Sequence, residues 1–340
     1  MANIKELKHG GNIFEASEKY NIPVENWTDL STGISPLTYP VPVVPQSVYA
    51  RLPYEDPEFT SAVKQYYKSD LFLAVAGSQT AIEQLPVLLK KISTINKILV
   101  PKVGYQEHQY HLNKQGFSVN YYESFENQTA FEHITSTKHD SHILIIQPNN
   151  PTGMLFTSNQ IKLILNNLHP DAFLIMDEAF IDASEQESCI SLIDNQPRLI
   201  ILRSVGKFFG LAGLRLGFVF AQKSILEQLE NQIGKWQVSS PTQFIAKHAL
   251  LDNAFHSSVI NFIQNNQNQS LINFKDIQQK SISNYQSELF CSFLLSNNDA
   301  EYFYDHYANR GILLRLIKVD DNTALIRIGI EIYAHKTDNQ

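Results

Sequence analysis

Lys207 stands where an amine could attack a carbonyl. It lies in Ser204-Val205-Gly206-Lys207-Phe208-Phe209-Gly210-Leu211-Ala212-Gly213-Leu214-Arg215-Leu216-Gly217, just past the apolar run 199–202. Such a run reads as a buried strand. Glycines, a serine and an arginine flank the lysine. Small neighbours let an amine approach an aldehyde carbon closely enough to form a Schiff base. A solvated loop lysine needs no such neighbours. Two other polar residues follow apolar runs in the same manner. Asn150, in Gln147-Pro148-Asn149-Asn150-Pro151-Thr152-Gly153, follows 143–146, and Asp177, in Asp177-Glu178-Ala179-Phe180, follows 172–176. Alone, Asn-Pro-Thr-Gly is a common turn. In an open α/β sheet, however, ligands gather at the carboxyl ends of strands. Three successive strands therefore deliver an amide, a carboxylate and an amine to one edge. The spacing between them suits a helix and a return strand each time.

The elements that must hold these groups are legible around them. A helix is expected at 57–67 and a strand at 71–75. Gly77-Ser78-Gln79-Thr80 then opens a helix that runs to 92. A strand at 97–100, a helix at 107–114 and a strand at 117–121 follow, and 216–221 adds a strand after the site strands. This alternation implies a mainly parallel sheet covered on both faces. Residues 1–40 carry no long periodic pattern and read as an arm or small-domain segment. Beyond about 235 the pattern changes. Helices are expected at 241–250, at 258–286 (rich in Asn, Gln and Ser) and at 300–309, with strands at 311–317 and 323–328. The expected division is an arm and small-domain segment 1–45, a large domain 46–235 and a small α+β domain 236–340.

Further candidates surround that edge. Gly77, Ser78 and Gln79 lie between a strand and a helix, where backbone N–H groups suit a phosphate. Ser204 and Arg215 can complete a phosphate cup with a hydroxyl and a guanidinium, or Arg215 can serve a structural ion pair. Tyr105 follows a strand and can stack on a ring. Arg327, within Ala324-Leu325-Ile326-Arg327-Ile328-Gly329, needs an anionic partner in so apolar a strand. That partner is either a substrate carboxylate or a buried acid. Arg315 is a second candidate clamp.

Composition narrows the class. The chain has 340 residues, 43% hydrophobic and 18% charged, with a formal charge of −7. Length suggests about two domains. No basic stripe appears, which argues against nucleic acid as a partner. No apolar run approaches the ~20 residues of a spanning helix, and Met1–Glu6 carries no apolar signal region. Cys189 and Cys291 form no metal or disulfide pattern. A cytoplasmic enzyme without a metal is the expectation.

The lysine segment resembles the cofactor-lysine region of the pyridoxal-phosphate enzymes of the aspartate-aminotransferase fold. The resemblance covers nearly the whole chain. It implies the transferase fold type I, an α/β large domain on a mainly parallel seven-stranded sheet plus a small α+β domain. It implies pyridoxal 5'-phosphate as cofactor, with Lys207 bonded to its aldehyde carbon and Asp177 keeping its ring nitrogen protonated. Asn150 would steady its phenolic oxygen. Gly77, Ser78, Gln79, Ser204 and Arg215 would hold its phosphate, with Tyr105 on the ring. Tyr54, in Arg51-Leu52-Pro53-Tyr54, would reach the cofactor phosphate of a neighbouring subunit, which implies a homodimer with sites at the interface.

Within that fold the lysine segment is similar to both histidinol-phosphate aminotransferases and threonine-phosphate decarboxylases of cobalamin biosynthesis. Several segments resemble the decarboxylases: His9-Gly10-Gly11-Asn12, Leu30-Ser31-Thr32-Gly33-Ile34-Ser35-Pro36, Gly104-Tyr105-Gln106-Glu107-His108 and Phe180, where many aminotransferases have tyrosine. This implies a small phosphorylated amino acid, L-threonine O-3-phosphate, as substrate. His9, Gly10, Gly11, Asn12, Gly33, Arg315 and Arg327 are the expected substrate contacts. The histidinol-phosphate type of aminotransferase is the alternative, because both use the same cofactor residues. The chain departs from the usual pattern at Gln147 and at Val205-Gly206; neither removes a required group.

Overall fold

The computed structural model describes residues 9–136, 140–184 and 186–330. The described strands are β1 (Thr28–Asp29), β2 (Phe72–Val75), β3 (Lys97–Pro101), β4 (Ser118–Tyr122), β5 (His142–Ile146), β6 (Leu174–Asp177), β7 (Leu199–Ser204), β8 (Gly217–Phe220), β9 (Ser283–Gln286), β10 (Phe290–Ser296), β11 (Ile312–Leu313), β12 (Arg315–Lys318) and β13 (Thr323–Gly329). Strands β2 to β8 form one seven-stranded sheet in the order β2-β8-β7-β6-β5-β3-β4. All its neighbours pair in parallel except β8, which runs antiparallel to β2 and β7. No α-helix separates β7 from β8, and a parallel crossover usually carries one, so the chain turns back there.

The site strands are apolar because both of their faces are covered. Ile143, Ile145, Leu174, Met176, Leu199 and Ile201 pack into one core. The alternating Leu144, Ile146, Ile175, Ile200 and Leu202 pack into another on the opposite face. This is the period of two of a strand. Each such side chain gains roughly 1.5–3 kcal/mol from burial, and an unpaired polar group placed among them would cost as much. Polar residues are therefore confined to the strand ends, where Asp177 closes β6 and Ser204 closes β7.

The helix Pro57–Tyr67 begins as its sequence requires. Asp56 accepts a hydrogen bond from the Glu58 amide, and proline takes the first turn. The helix Ser78–Ile92 differs. Its cap is Gly77, at φ 81°, with no side-chain cap bond. The first amides of that helix therefore face outward from the carboxyl edge of the sheet.

A second sheet, β12-β13-β10-β9, is antiparallel throughout. Its core holds Phe293, Leu295, Ile326 and Ile328 with Phe303 of the helix Asn297–Ala308. The early segment joins this part, since β1 pairs in parallel with β11. Three expectations differ from what is observed. The polar stretch expected as one helix at 258–286 is the helices Asn253–Asn266, Gln269–Asn273 and Lys275–Lys280 followed by β9. Buried Phe274 and Ile277 anchor that stretch, and its Asn, Gln and Ser residues do little to hold one long helix. The strand expected at 311–317 is two strands, because Leu314 marks a change of partner from β1 to β13. Residues 1–40, read as an arm or small-domain segment without a long periodic pattern, contain the short helix Ile13–Tyr20, capped by Asn12. Among the described residues no helix is long and apolar enough to cross a membrane.

Candidate active site

The sheet order β5-β6-β7 places Asn150, Asp177 and Lys207 side by side. All three line one cavity of about 400 Å³ with Gly77, Ser78, Gln79, Tyr105, Phe180, Ser204 and Arg215. Every large-domain residue singled out from the sequence faces this cavity except Tyr54.

Asp177 is buried and held from both sides. Its Oδ2 lies 2.8 Å from Nε2 of buried His108, and its Oδ1 accepts from the Ala179 amide at 3.0 Å. A carboxylate only accepts, so His108 carries its proton on Nε2. Each carboxylate oxygen has a second lone pair, which leaves capacity for a ring N–H from the cavity. His108 was not among the sequence candidates. The signal was available: it lies one helical turn beyond Tyr105, so both can look to the same side.

Lys207 is half-buried, with Nζ 5.4 Å from the Phe180 ring centroid. Burial, and then the positive charge of Arg327, lowers its amine to about 8, against the opposing pull of Asp177. A nucleophilic amine needs such depression. Tyr105 moves the other way. Burial, followed by the nearby Glu107 and Asp177 carboxylates, raises its hydroxyl to about 12. It stays protonated and donates to Gln79 Oε1 at 3.3 Å.

The phosphate end depends on missing side chains. A Cβ on Gly77 would lie 2.6 Å from Arg215 Nη2, and one on Gly217 would lie 2.4 Å from the Ser78 amide. Glycine at these positions lets the Arg215 guanidinium and the Ser78 amide approach closely, at a cavity that Gln79 and Ser204 also line. That is an anion cradle. The residues present therefore fit pyridoxal phosphate: a cradle at one end, an acceptor-rich carboxylate at the other and an amine between.

A second cavity adjoins the first. His9, Gly10, Ser31, Thr32, Gly33, Tyr105, Asn150, Lys207, Arg315 and Arg327 line it. Arg327 donates through Nη1 to Asn150 Oδ1 and through Nη2 to the Ser31 carbonyl. A guanidinium can only donate, so this bond takes the amide oxygen of Asn150 and turns its NH₂ to the remaining side. Nε of Arg327 is buried without a hydrogen-bond partner among the described residues. Arg315 lies directly opposite Arg327 across β12 and β13. Burial and then Arg315 lower Arg327 to about 10, and burial lowers Arg315. Like charges opposite one another on a sheet are unfavourable. An anion between them removes that cost.

The structure gives part of the N-terminal motif other partners than an anion. The Gly11 amide donates to Ser31 Oγ at 2.7 Å, and Asn12 caps the helix Ile13–Tyr20 by accepting from Glu15 N. His9 Nε2 lies 2.8 Å from Glu107 Oε1. Gly10 and Gly33 serve through size. A Cβ on Gly10 would meet the Ser31 carbonyl at 2.4 Å, and one on Gly33 would meet Phe180 at 2.7 Å. Tyr54 lies outside both cavities, 69% exposed, edge-on to Trp236.

Comparison with known proteins places this geometry. The chain is 36% identical over 247 residues to a threonine-phosphate decarboxylase of Pseudomonas aeruginosa, which covers 72% of this chain and 71% of that protein. It is 40% identical over 116 residues to a histidinol-phosphate aminotransferase of Baumannia cicadellinicola, covering 34% of this chain and 32% of that one. The crystal structure of L-threonine-O-3-phosphate decarboxylase from Porphyromonas gingivalis superimposes with a TM-score of 0.73 at 18% identity, over 90% of this chain and 94% of that chain. Residues 46–339 match the aminotransferase class I and II family. With the lysine, carboxylate and amide converging at the edge of its parallel strands, this chain belongs to the aminotransferase class I and II family.

Proposed function

We propose that this protein is a pyridoxal-phosphate-dependent decarboxylase of L-threonine O-3-phosphate, releasing CO₂ and (R)-1-amino-2-propanol phosphate for cobalamin synthesis. The observation that carries the substrate class is the pair Arg315 and Arg327, opposed across one sheet beside Lys207. Two guanidiniums outside the cofactor cradle suit a substrate with two anions, a carboxylate and a phosphate. The 36% identity to a threonine-phosphate decarboxylase supports the same reading.

Pyridoxal phosphate bound in the cavity supplies an electron sink for the bond broken at the substrate Cα. The protein's own residues determine the rest. Asp177, steadied by His108 and the Ala179 amide, would hold a proton on the ring nitrogen. Asn150, with its oxygen taken by Arg327, would donate through Nδ2 toward the phenolic oxygen. Arg327 thereby links the substrate side of the site to the cofactor side. Lys207 Nζ, lowered to about 8, can give up or return a proton at Cα near neutral pH.

The alternative, amine transfer as in the histidinol-phosphate aminotransferases, uses the same residues and has support from the shorter 40% match. One assay separates them. The purified holoenzyme is expected to release CO₂ from L-threonine O-3-phosphate without any keto acid. Keto-acid-dependent amine transfer from histidinol phosphate, with no CO₂ release, would establish the alternative instead.

The same reading makes the enzyme a homodimer. Exposed Val41, Val43, Tyr49, Leu52, Tyr54 and Trp236 crowd one stretch of sequence and its neighbour. Exposed apolar groups of this density mark a contact surface, and a second copy would bring Tyr54 to the partner's phosphate cradle. Sedimentation equilibrium is expected to give twice the chain mass. A fully active monomer at assay concentration would rule this out.

A further inference from the structure

Glu107 belongs to none of the roles described above, yet it is a buried carboxylate at the wall of the cofactor cavity. It lies in the first turn of the helix Gln106–Lys114. Its Oε1 takes His9 Nε2 at 2.8 Å, and its Oε2 takes Gln79 Nε2 at 2.8 Å and His111 Nε2 at 3.1 Å. A carboxylate offers only acceptors, so all three nitrogens donate. Gln79 in turn accepts from the Tyr105 hydroxyl. One carboxylate thus connects the arm, the cradle helix and the ring-facing tyrosine.

The two ends of this connection belong to different parts of the fold. The arm hangs on Ser31 through the Gly11 amide, and the Ser31 carbonyl is held by Arg327 of the four-stranded sheet. Glu107 follows β3 of the seven-stranded sheet. His9 lines both cavities, one with Asp177 and the other with Lys207, Arg315 and Arg327. The His9–Glu107 contact therefore spans the cleft between the two sheet-bearing parts, over the place where substrate must sit.

We propose that Glu107 is a positioning residue: through His9 it fastens the N-terminal arm and the small sheet across the cleft, and through Gln79 it couples that fastening to Tyr105. A wall fixed before substrate arrives lowers the ordering cost of binding. The contribution then falls on substrate affinity rather than on the chemical step.

Hydrogen exchange of the holoenzyme tests this. In Glu107→Ala the Gly10 and Gly11 amides are expected to exchange about tenfold faster or more, the usual consequence of losing a hydrogen bond to a charged group. His9→Ala should do the same, and the double variant should go no further, since the two residues form one contact. In Glu107→Ala, KM for the amino-acid substrate should rise by a similar factor, with kcat and the visible cofactor absorbance within about twofold of wild type. Should Glu107→Ala fail to fold, Glu107→Gln keeps the volume and one acceptor, and a several-fold acceleration is expected. Unchanged arm exchange in the folded variant, or effects that add in the double variant, would overturn the proposal. The exchange measurement does not depend on which amino acid the enzyme takes, so a wrong substrate assignment leaves it readable.

Discussion

Lys207→Ala is expected to lower turnover by about 10⁴-fold or more and to remove the visible absorbance of a lysine-bound cofactor. Under the proposed function Lys207 would serve twice, as the amine that secures the cofactor's aldehyde carbon and as the group that moves a proton at the substrate Cα. Its position on the turn after β7, beside Asn150 and Asp177, is matched by no other lysine lining the cavity among the described residues. Borohydride reduction followed by peptide mapping should place the pyridoxyl group on Lys207. Finding it on Lys235 or elsewhere would sink the assignment. The lowered amine adds a pH signature. Below about pH 8 the amine keeps its proton and is not nucleophilic; above it the free amine dominates. Cofactor uptake by the apoenzyme should therefore accelerate as pH rises through about 8 and then level off. A rate still climbing toward pH 10 would mean that burial and Arg327 do not act on this lysine.

Asp177→Asn is expected to cost about 10²-fold or more in turnover, with much less loss of cofactor. The carboxylate matters most when negative charge reaches the ring in the transition state. Cofactor retention draws instead on the distant phosphate cradle, which the substitution leaves intact. Asparagine nearly preserves shape, so packing in this buried spot changes little. It does remove the charge facing His108, and the amide can present its NH₂ to His108 Nε2 and force the other tautomer. Near-normal turnover in this variant would show that the ring nitrogen has another proton partner.

Some of this site was plain in the residues. The runs ending at Ile146, Met176 and Leu202 are apolar throughout, because a strand covered on both faces allows nothing else. The first polar residues beyond them had to lie at an edge. Gly77 could be placed at a turn and Gly217 in a strand, although the contacts that require them, with Arg215 and the Ser78 amide, come from elements over a hundred residues apart in sequence. Nothing local distinguishes Glu107 and His108 within the segment 104–108. A histidine and a glutamate at a helix start look like an ordinary solvated turn until the neighbouring strand carries Asp177 against one of them and the arm carries His9 against the other.

The sequence by itself determined the covered parallel sheet, the order of the three site strands and the groups at their ends, since these follow from local apolarity and the period of a strand. Only the tertiary structure decided the pairing of Arg315 with Arg327, the turning of Asn150 by Arg327 and the capture of His9 by Glu107. Each of those contacts joins segments distant in the chain, and a side chain's partner there is set by sheet register and the docking of the small sheet. No local propensity encodes that choice.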